Sequence, residues 1–205
     1  KNNTDHFIKR GIGEQMSLEM ALLALFTLQI NAPAGGAGHR VGLRGGGPLT
    51  TLIQPSTETA TLWQKLLLNV INRETWVYDD PDFNDGSVFP WLAPTKLSDK
   101  KGTEIYEHDV HPLHMFWAMP RRIRLEVQHR EDVCHISGKT AQNVVTDYRT
   151  QNYGHNYKGN WSHPLTPYKG DPKKPEAEWL SIKGQPGGLH YKIWDVLSFS
   201  SGIQA

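Results

Sequence analysis

Apolar positions recur with helical spacing twice in the first third of the chain. From Leu18 onward, Leu22, Leu25, Phe26 and Leu28 follow one another at turns of a helix, and Ser17 stands ahead of them as an N-cap with Glu19 in the first turn. This helix is expected to run to about Asn31, because Pro33 disfavours helical backbone at Ala32. A second helix is expected from about Glu58 to Asn72, with Leu62, Leu66, Asn69 and Val70 on one face and Trp63 and Leu67 widening it. Elsewhere the period is two. Thr50 to Gln54 reads as a strand, and from Pro120 to Gln128 Ile123, Leu125 and Val127 alternate with Arg122, Arg124 and Glu126, the pattern of a half-buried strand. Val144 to Trp161 interleaves Tyr148, Tyr153 and Tyr157 with Arg149, Gln151, Asn152, His155 and Lys158. That pattern suits single-strand or groove binding, and it equally suits a half-exposed β-hairpin. Trp179 to Ile182 and Tyr191 to Phe199 read as short strands or a terminal helix, parted by a turn at Gly184 to Gly188. Lys1 to Gly13 is loop-like around a small apolar centre, Phe7-Ile8. The elements together predict an α+β fold of mixed helices and short antiparallel strands.

Between the first helix and the Thr50 strand lies Ala34 to Thr51, a glycine-rich stretch with His39, Arg40 and Arg44 and no acid. Glycine lets backbone amides approach a ligand closely and admits positive φ, and guanidiniums meet phosphates well. Composition alone also allows a flexible linker. The stretch is no Walker A loop, since it ends in Gly-Pro. It is no dinucleotide fingerprint either, since a helix precedes it and a strand follows.

The 205 residues are 38% hydrophobic, enough for a core in one large or two small domains. The net charge of +1 is unevenly spread. Glu74, Asp79, Asp80, Asp82 and Asp85 form an acidic block; Arg121, Arg122, Arg124 and Arg130 form a basic one, and Arg149 to Lys174 is mostly basic. The lone Cys134 excludes an internal disulfide framework and fits an intracellular setting. The longest apolar run, Met20 to Phe26, is too short to span a bilayer. No nucleophile elbow is present. Asp80, Asp82, Asn84 and Gly86 depart from the calcium-loop spacing, so a solvated loop is expected there. His108, His111 and His114 are the densest histidine cluster, but Pro112 interrupts their register, and His129, Cys134 and His135 form only a weak metal pattern. The chain opens on Lys and is read as a fragment.

With these residues laid out, the chain resembles the CasA family, large subunits of the type I-E Cascade CRISPR surveillance complex. The resemblance is carried by Ala24-Leu25-Phe26, Ala32-Pro33, Gly42-Leu43-Arg44-Gly45-Gly46, Pro48-Leu49-Thr50-Thr51 and Leu67-Leu68-Asn69-Val70. It continues through Phe116-Trp117, Pro120, Gly159, Trp161-Ser162-His163-Pro164 and Pro167. It implies that residues 1–205 are the central part of the large N-terminal domain, lacking the C-terminal helical bundle and the family's glutamine wedge. It implies a cytoplasmic, non-catalytic DNA-binding subunit without cofactor or metal, which reads the protospacer-adjacent motif (PAM) of double-stranded DNA from the minor groove and promotes unwinding. Its implied partners are target DNA, the crRNA-containing Cascade subunits and a helicase–nuclease, with no membrane. Position by position, the upstream loop falls on Phe7, Ile8 and Lys9. The glycine loop falls on Ala34, Gly35, Gly36, Ala37 and Gly38, with alanine at two family glycine positions. The family lysine falls on Asn152, so that either Arg149 or Lys158 substitutes for it or Asn152 makes a neutral contact. A minor groove about 6 Å wide admits glycine backbone where bulky side chains cannot enter, and Arg40 and Arg44 are candidates to hold phosphates. Two rival readings stand beside this one: a metal-dependent hydrolase using His108, His111 and His114, and a scaffold without DNA contact of its own.

Overall fold

The computed structural model describes residues 11–76, 78–174, 177–184 and 203–204. The strands in chain order are β1 (Met16–Ser17), β2 (Glu104–Ile105), β3 (Arg122–Gln128), β4 (Asp132–Val133), β5 (Thr140–Ala141), β6 (Val144–Gln151), β7 (Asn156–Tyr157), β8 (Tyr168–Lys169), β9 (Leu180–Ser181) and β10 (Ile203–Gln204). The helices are α1 (Leu18–Asn31) and α2 (Leu62–Leu67), with single 3-10 turns at Pro90–Leu92, Glu107–Asp109 and Pro112–Phe116. The chain is an α+β fold of few helices and several small, mainly antiparallel sheets. The one parallel pairing among the described residues joins β2 to β7.

The sheet that matters for the site runs β1-β6-β3. The antiparallel β3–β6 pair spans Arg122↔Gln151 to Gln128↔Val144, with a bulge after Glu126. On β3 the expected alternation shows in Ile123 and Leu125, which are half-buried and line one cavity with Ala21, Leu25 and Val145, while Arg124 between them is exposed.

α1 begins where expected. Ser17 Oγ accepts from the Met20 amide, and Asn31 is the last helical residue. Ala21, Gln29 and Ile30 are its buried positions, while Leu22 and Phe26, which carried the helical pattern, are 51% and 43% exposed. Phe26 packs its ring against Trp117, at a centroid distance of 5.5 Å.

Two predicted elements are corrected. The second helix covers only Leu62–Leu67, opened by a Thr61–Gln64 capping box. It stops early because Asn69 leaves the helical ladder: its amide accepts from Ile53 N (2.7 Å) and donates to Ile53 O (2.9 Å). The Thr50–Gln54 segment is no strand either. Thr51 N donates to Leu165 O, Ile53 is held by the Asn69 side chain, and neighbouring Leu49 N donates to Ile182 O, so no single ladder forms. A β-bridge sits instead at Pro48–Lys183. The predicted strand at Trp179 to Ile182 appears as β9, whereas Tyr191 to Phe199 lies outside the described residues.

A buried polar centre joins the chain's middle to its C-terminal half. Lys96 N donates to His155 Nε2 (3.1 Å), so the proton of that ring is on Nδ1, which donates to Tyr157 Oη (3.3 Å). Met119 N also donates to Tyr157 Oη (2.9 Å). The Tyr157 hydroxyl donates to His114 Nε2 (3.1 Å), whose Nδ1–H reaches Ser87 O (2.9 Å). Every partner is satisfied only with both rings neutral. Burial, and then the electrostatic influence of His114 and Lys96, lower His155 to about 4; burial lowers His114 as well and pushes the Tyr157 hydroxyl up.

Candidate nucleic-acid interface

The glycine-rich stretch divides in two. Its second part is packed against the end of α1. Gly42 N donates to Ala32 O (2.8 Å) and Arg44 N to Ile30 O (2.9 Å), so carbonyls left open at the helix terminus find donors. There is no room for side chains: a Cβ on Gly42 would lie 2.3 Å from Ile30 O, and one on Gly45 would lie 2.3 Å from Ala32 O. The first part, Ala34 to Gly38, is an open tip. Nothing lies within 4 Å of a Cβ built on Gly35, and Gly36 and Gly38 have φ of +78° and +72°. Ala34, Gly35, Gly36 and Ala37 are exposed.

The tip is tied to the turn that follows β6. Asn152 Nδ2 donates to Ala37 O (2.7 Å), across 115 residues of sequence. Tyr153 N donates to Gly38 O (2.9 Å), and Tyr153 itself takes φ +64°. A Cβ on Gly38 would meet Asn152 Cβ and the Tyr153 ring at 2.9 Å. The structure therefore brings Asn152 onto the glycine tip. Gln29 clips the same region from behind: its amide donates to Arg121 O (2.7 Å) and accepts from Arg121 N (2.9 Å). Arg121 Nη2 in turn donates to Pro33 O (2.6 Å).

The two loop arginines brace the stretch. Arg40 gives Nε to Ser98 Oγ (2.8 Å) and Nη2 to Ser98 O, and its guanidinium lies 5.8 Å from the Tyr153 ring centroid. Ser98 Oγ passes the chain on to Gly154 O (2.6 Å). Arg44 donates to Thr166 Oγ1 (2.8 Å), Thr50 Oγ1 (2.6 Å) and the carbonyls of Pro48 and Leu49. Burial lowers its pKa, and the neighbouring Tyr168 opposes the shift.

Arg149 stands on β6 with its side chain 78% exposed and Nε 2.9 Å from Glu126 Oε1. Lys158 sits past β7, where its amide bonds Ile105 O. Phe7, Ile8 and Lys9 lie outside the described residues. Sequence reasoning did not single out Gln29, Ser98, Arg121 or Tyr153 as site residues. Arg121 stood in the basic block, Tyr153 in the aromatic and basic run, and Gln29 as a polar residue among the apolar positions of α1, while Ser98 carried no signal.

The histidine cluster does not converge. His108 is beside Asp109 at the surface, His111 accepts from Leu113 N and faces Asp79 O, and His114 is in the buried centre. In the acidic loop, Asp82 and Asp85 cap the amides of Asn84 and Ser87, and Asp80 pairs with Arg73. His129 bonds Asn143, and Cys134 is buried. Among the described residues no group of three His, Cys, Asp or Glu is placed to hold a metal ion. No helix among them is long and apolar enough to cross a membrane.

Ala34 to Gly38 thus form an exposed backbone tip that is fixed from two sides, with Arg40 and Arg44 bracing the chain that follows it. The family model for CRISPR-associated protein Cse1 matches residues 1–204. The chain belongs to that family, the CasA subunits of type I-E Cascade, and its partnership is within that complex.

Proposed function

We propose that this part of the subunit binds double-stranded target DNA and reads the PAM through the glycine tip, without catalysing a reaction. Ala34 to Gly38 enters the minor groove by its main chain; Asn152 lies beside the entry point and Arg149 faces the backbone. Arg40 and Arg44 fix the ends of the loop and add positive potential to its face. Promotion of unwinding follows from the same insertion, and the crRNA-bearing subunits and helicase–nuclease act on the opened duplex. Phe7, Ile8 and Lys9 contribute a second contact near the PAM. Residues 1–205 belong to one large N-terminal domain in this reading.

The observation that carries the proposal is the bond from Asn152 Nδ2 to Ala37 O at 2.7 Å. Two positions that the family resemblance singled out independently meet at one exposed tip, and a mere linker has no need of such a tie. The test is Gly36→Val in the assembled complex. With φ at +78°, any side chain there is strained by about 1–2 kcal/mol, and valine adds bulk at the groove wall. Binding of good-PAM duplex should fall toward that of bad-PAM duplex, while assembly and RNA content stay intact. Full discrimination retained by Gly36→Val would reduce the loop to a connector and refute the reading.

A further inference from the structure

The β3–β6 ribbon carries its charges in an order that sheet stability alone does not favour. The register sets Arg124 directly across from Arg149 and, one step along the same face, Glu126 across from Asp147. Like charges facing each other across an antiparallel pair weaken it, and exchanging one member of each pair would produce two attractive ones. The arginine side chains are 82% and 78% exposed and share one carboxylate, Glu126, with Nε–Oε1 distances of 4.0 and 2.9 Å. Asp147 accepts from Thr146 Oγ1 (2.8 Å) instead of closing the set. The cationic end is the one that adjoins the glycine tip. There Arg122, across from Gln151, directs Nη1 to Asn152 O at 3.4 Å.

We propose that Arg122, Arg124 and Arg149 form a phosphate track for duplex DNA, leading from the glycine tip along the β3–β6 ribbon. The proposal rests on the chain being DNA-binding and adds a surface that the tip alone does not supply. Residues two apart on a strand are about 6.6 Å apart, and one strand of a duplex offers a phosphate every 3.4 Å or so of axis, so the track spans about two phosphates. The ligand is duplex backbone in preference to single strand because this face lacks a stacking ring: Tyr148, paired with Leu125, points to the other side. Glu126 and Asp147 end the track by repelling a backbone that strays further. Bound phosphates take over from Glu126 as partners of the two arginines and relieve the like-charge pair.

The test uses the assembled complex, with good-PAM and bad-PAM duplexes titrated over a range of salt. Arg124→Gln with Arg149→Gln should make the slope of log affinity against log salt shallower by about 1.8, since each phosphate contact contributes about 0.9. It should weaken both duplexes by one common factor, roughly tenfold at physiological salt. Arginine-to-lysine changes at both positions should keep most of the slope. Glu126→Gln should act in the opposite sense and tighten both duplexes severalfold, a sign that a purely structural ion pair would not produce. An unchanged slope in the glutamine double variant would overturn the track, as would weaker binding by Glu126→Gln. Loss of crRNA from the purified double variant would also overturn it, by assigning the face to RNA. Gly36→Val reads discrimination and the ribbon variants read slope, so the two readings fail separately.

Discussion

Gly42→Ala and Gly35→Ala make the same chemical change in one glycine-rich stretch, and the structure predicts opposite outcomes. The Cβ on Gly42 would sit 2.3 Å from Ile30 O and 2.5 Å from Gln29 O, both backbone atoms of the last turn of α1. They cannot retreat without breaking the bonds from Gly42 N to Ala32 O and from Arg44 N to Ile30 O. Overpacking of this kind costs about 1–3 kcal/mol, and two backbone bonds add about 1 kcal/mol each, so a loss of about 3–5 kcal/mol is expected. At 2–4 °C or so per kcal/mol, the melting temperature of the subunit should drop by about 6–20 °C. At Gly35 nothing lies within 4 Å and φ is not positive, so alanine should change stability by less than about 1 kcal/mol. Its effect should appear only in affinity for PAM-bearing duplex. Calorimetry of the subunit and duplex binding by the complex measure the two. A Gly42→Ala subunit melting within 2 °C or so of the parent would refute the division of the stretch into packed base and open tip.

Asn152→Ala should remove the bond to Ala37 O, worth about 1 kcal/mol, and weaken good-PAM binding about fivefold with little change in melting; unchanged affinity would mean the tie does not order the tip. The His114–Tyr157–His155 centre predicts acid sensitivity. His155 is lowered from 6.5 to about 4, so between those values the unfolded chain takes up a proton that the folded chain refuses, and stability falls as pH falls. From pH 7 to 5 the loss from His155 alone is about 2 kcal/mol, to be read from denaturant midpoints; His155→Gln should make that interval shallower by about this amount, leaving the contributions of His114 and His163, which burial also lowers, and a flat profile in the parent would contradict the neutral network.

What was legible in the sequence was what depends on neighbours. The Ser17 cap, the extent of α1 and the alternation of β3 are set within a few residues, and each matches the structure. The second helix and the Thr50 segment were misread because their ends are decided by Asn69 and Ile53 reaching each other, a contact between side chain and backbone that periodicity does not encode. The same holds for the site. Gln29 meets Arg121 across 92 positions and Arg40 meets Ser98 across 58, and neither pair has a local pattern. Asn152 stood in a run that suits groove binding, but its link to the glycine tip was reached only through family resemblance, since its residue type predicts a turn and nothing about a loop far up the chain.

The two halves of the glycine-rich stretch explain each other. A tip that enters a groove must be thin, and thinness means glycine, which gives up conformational order. Such a tip recognises nothing unless its base is held. Here the base is Gly42 and Gly45 pressed on the carbonyls that end α1, Arg40 on Ser98 and Arg44 on the carbonyls of Pro48 and Leu49. The far side is Asn152 and Tyr153, which are placed by the last residues of β6. Helix and sheet are in turn joined by the Gln29–Arg121 clip, so the tip, the turn behind it and the arginine ribbon share one support.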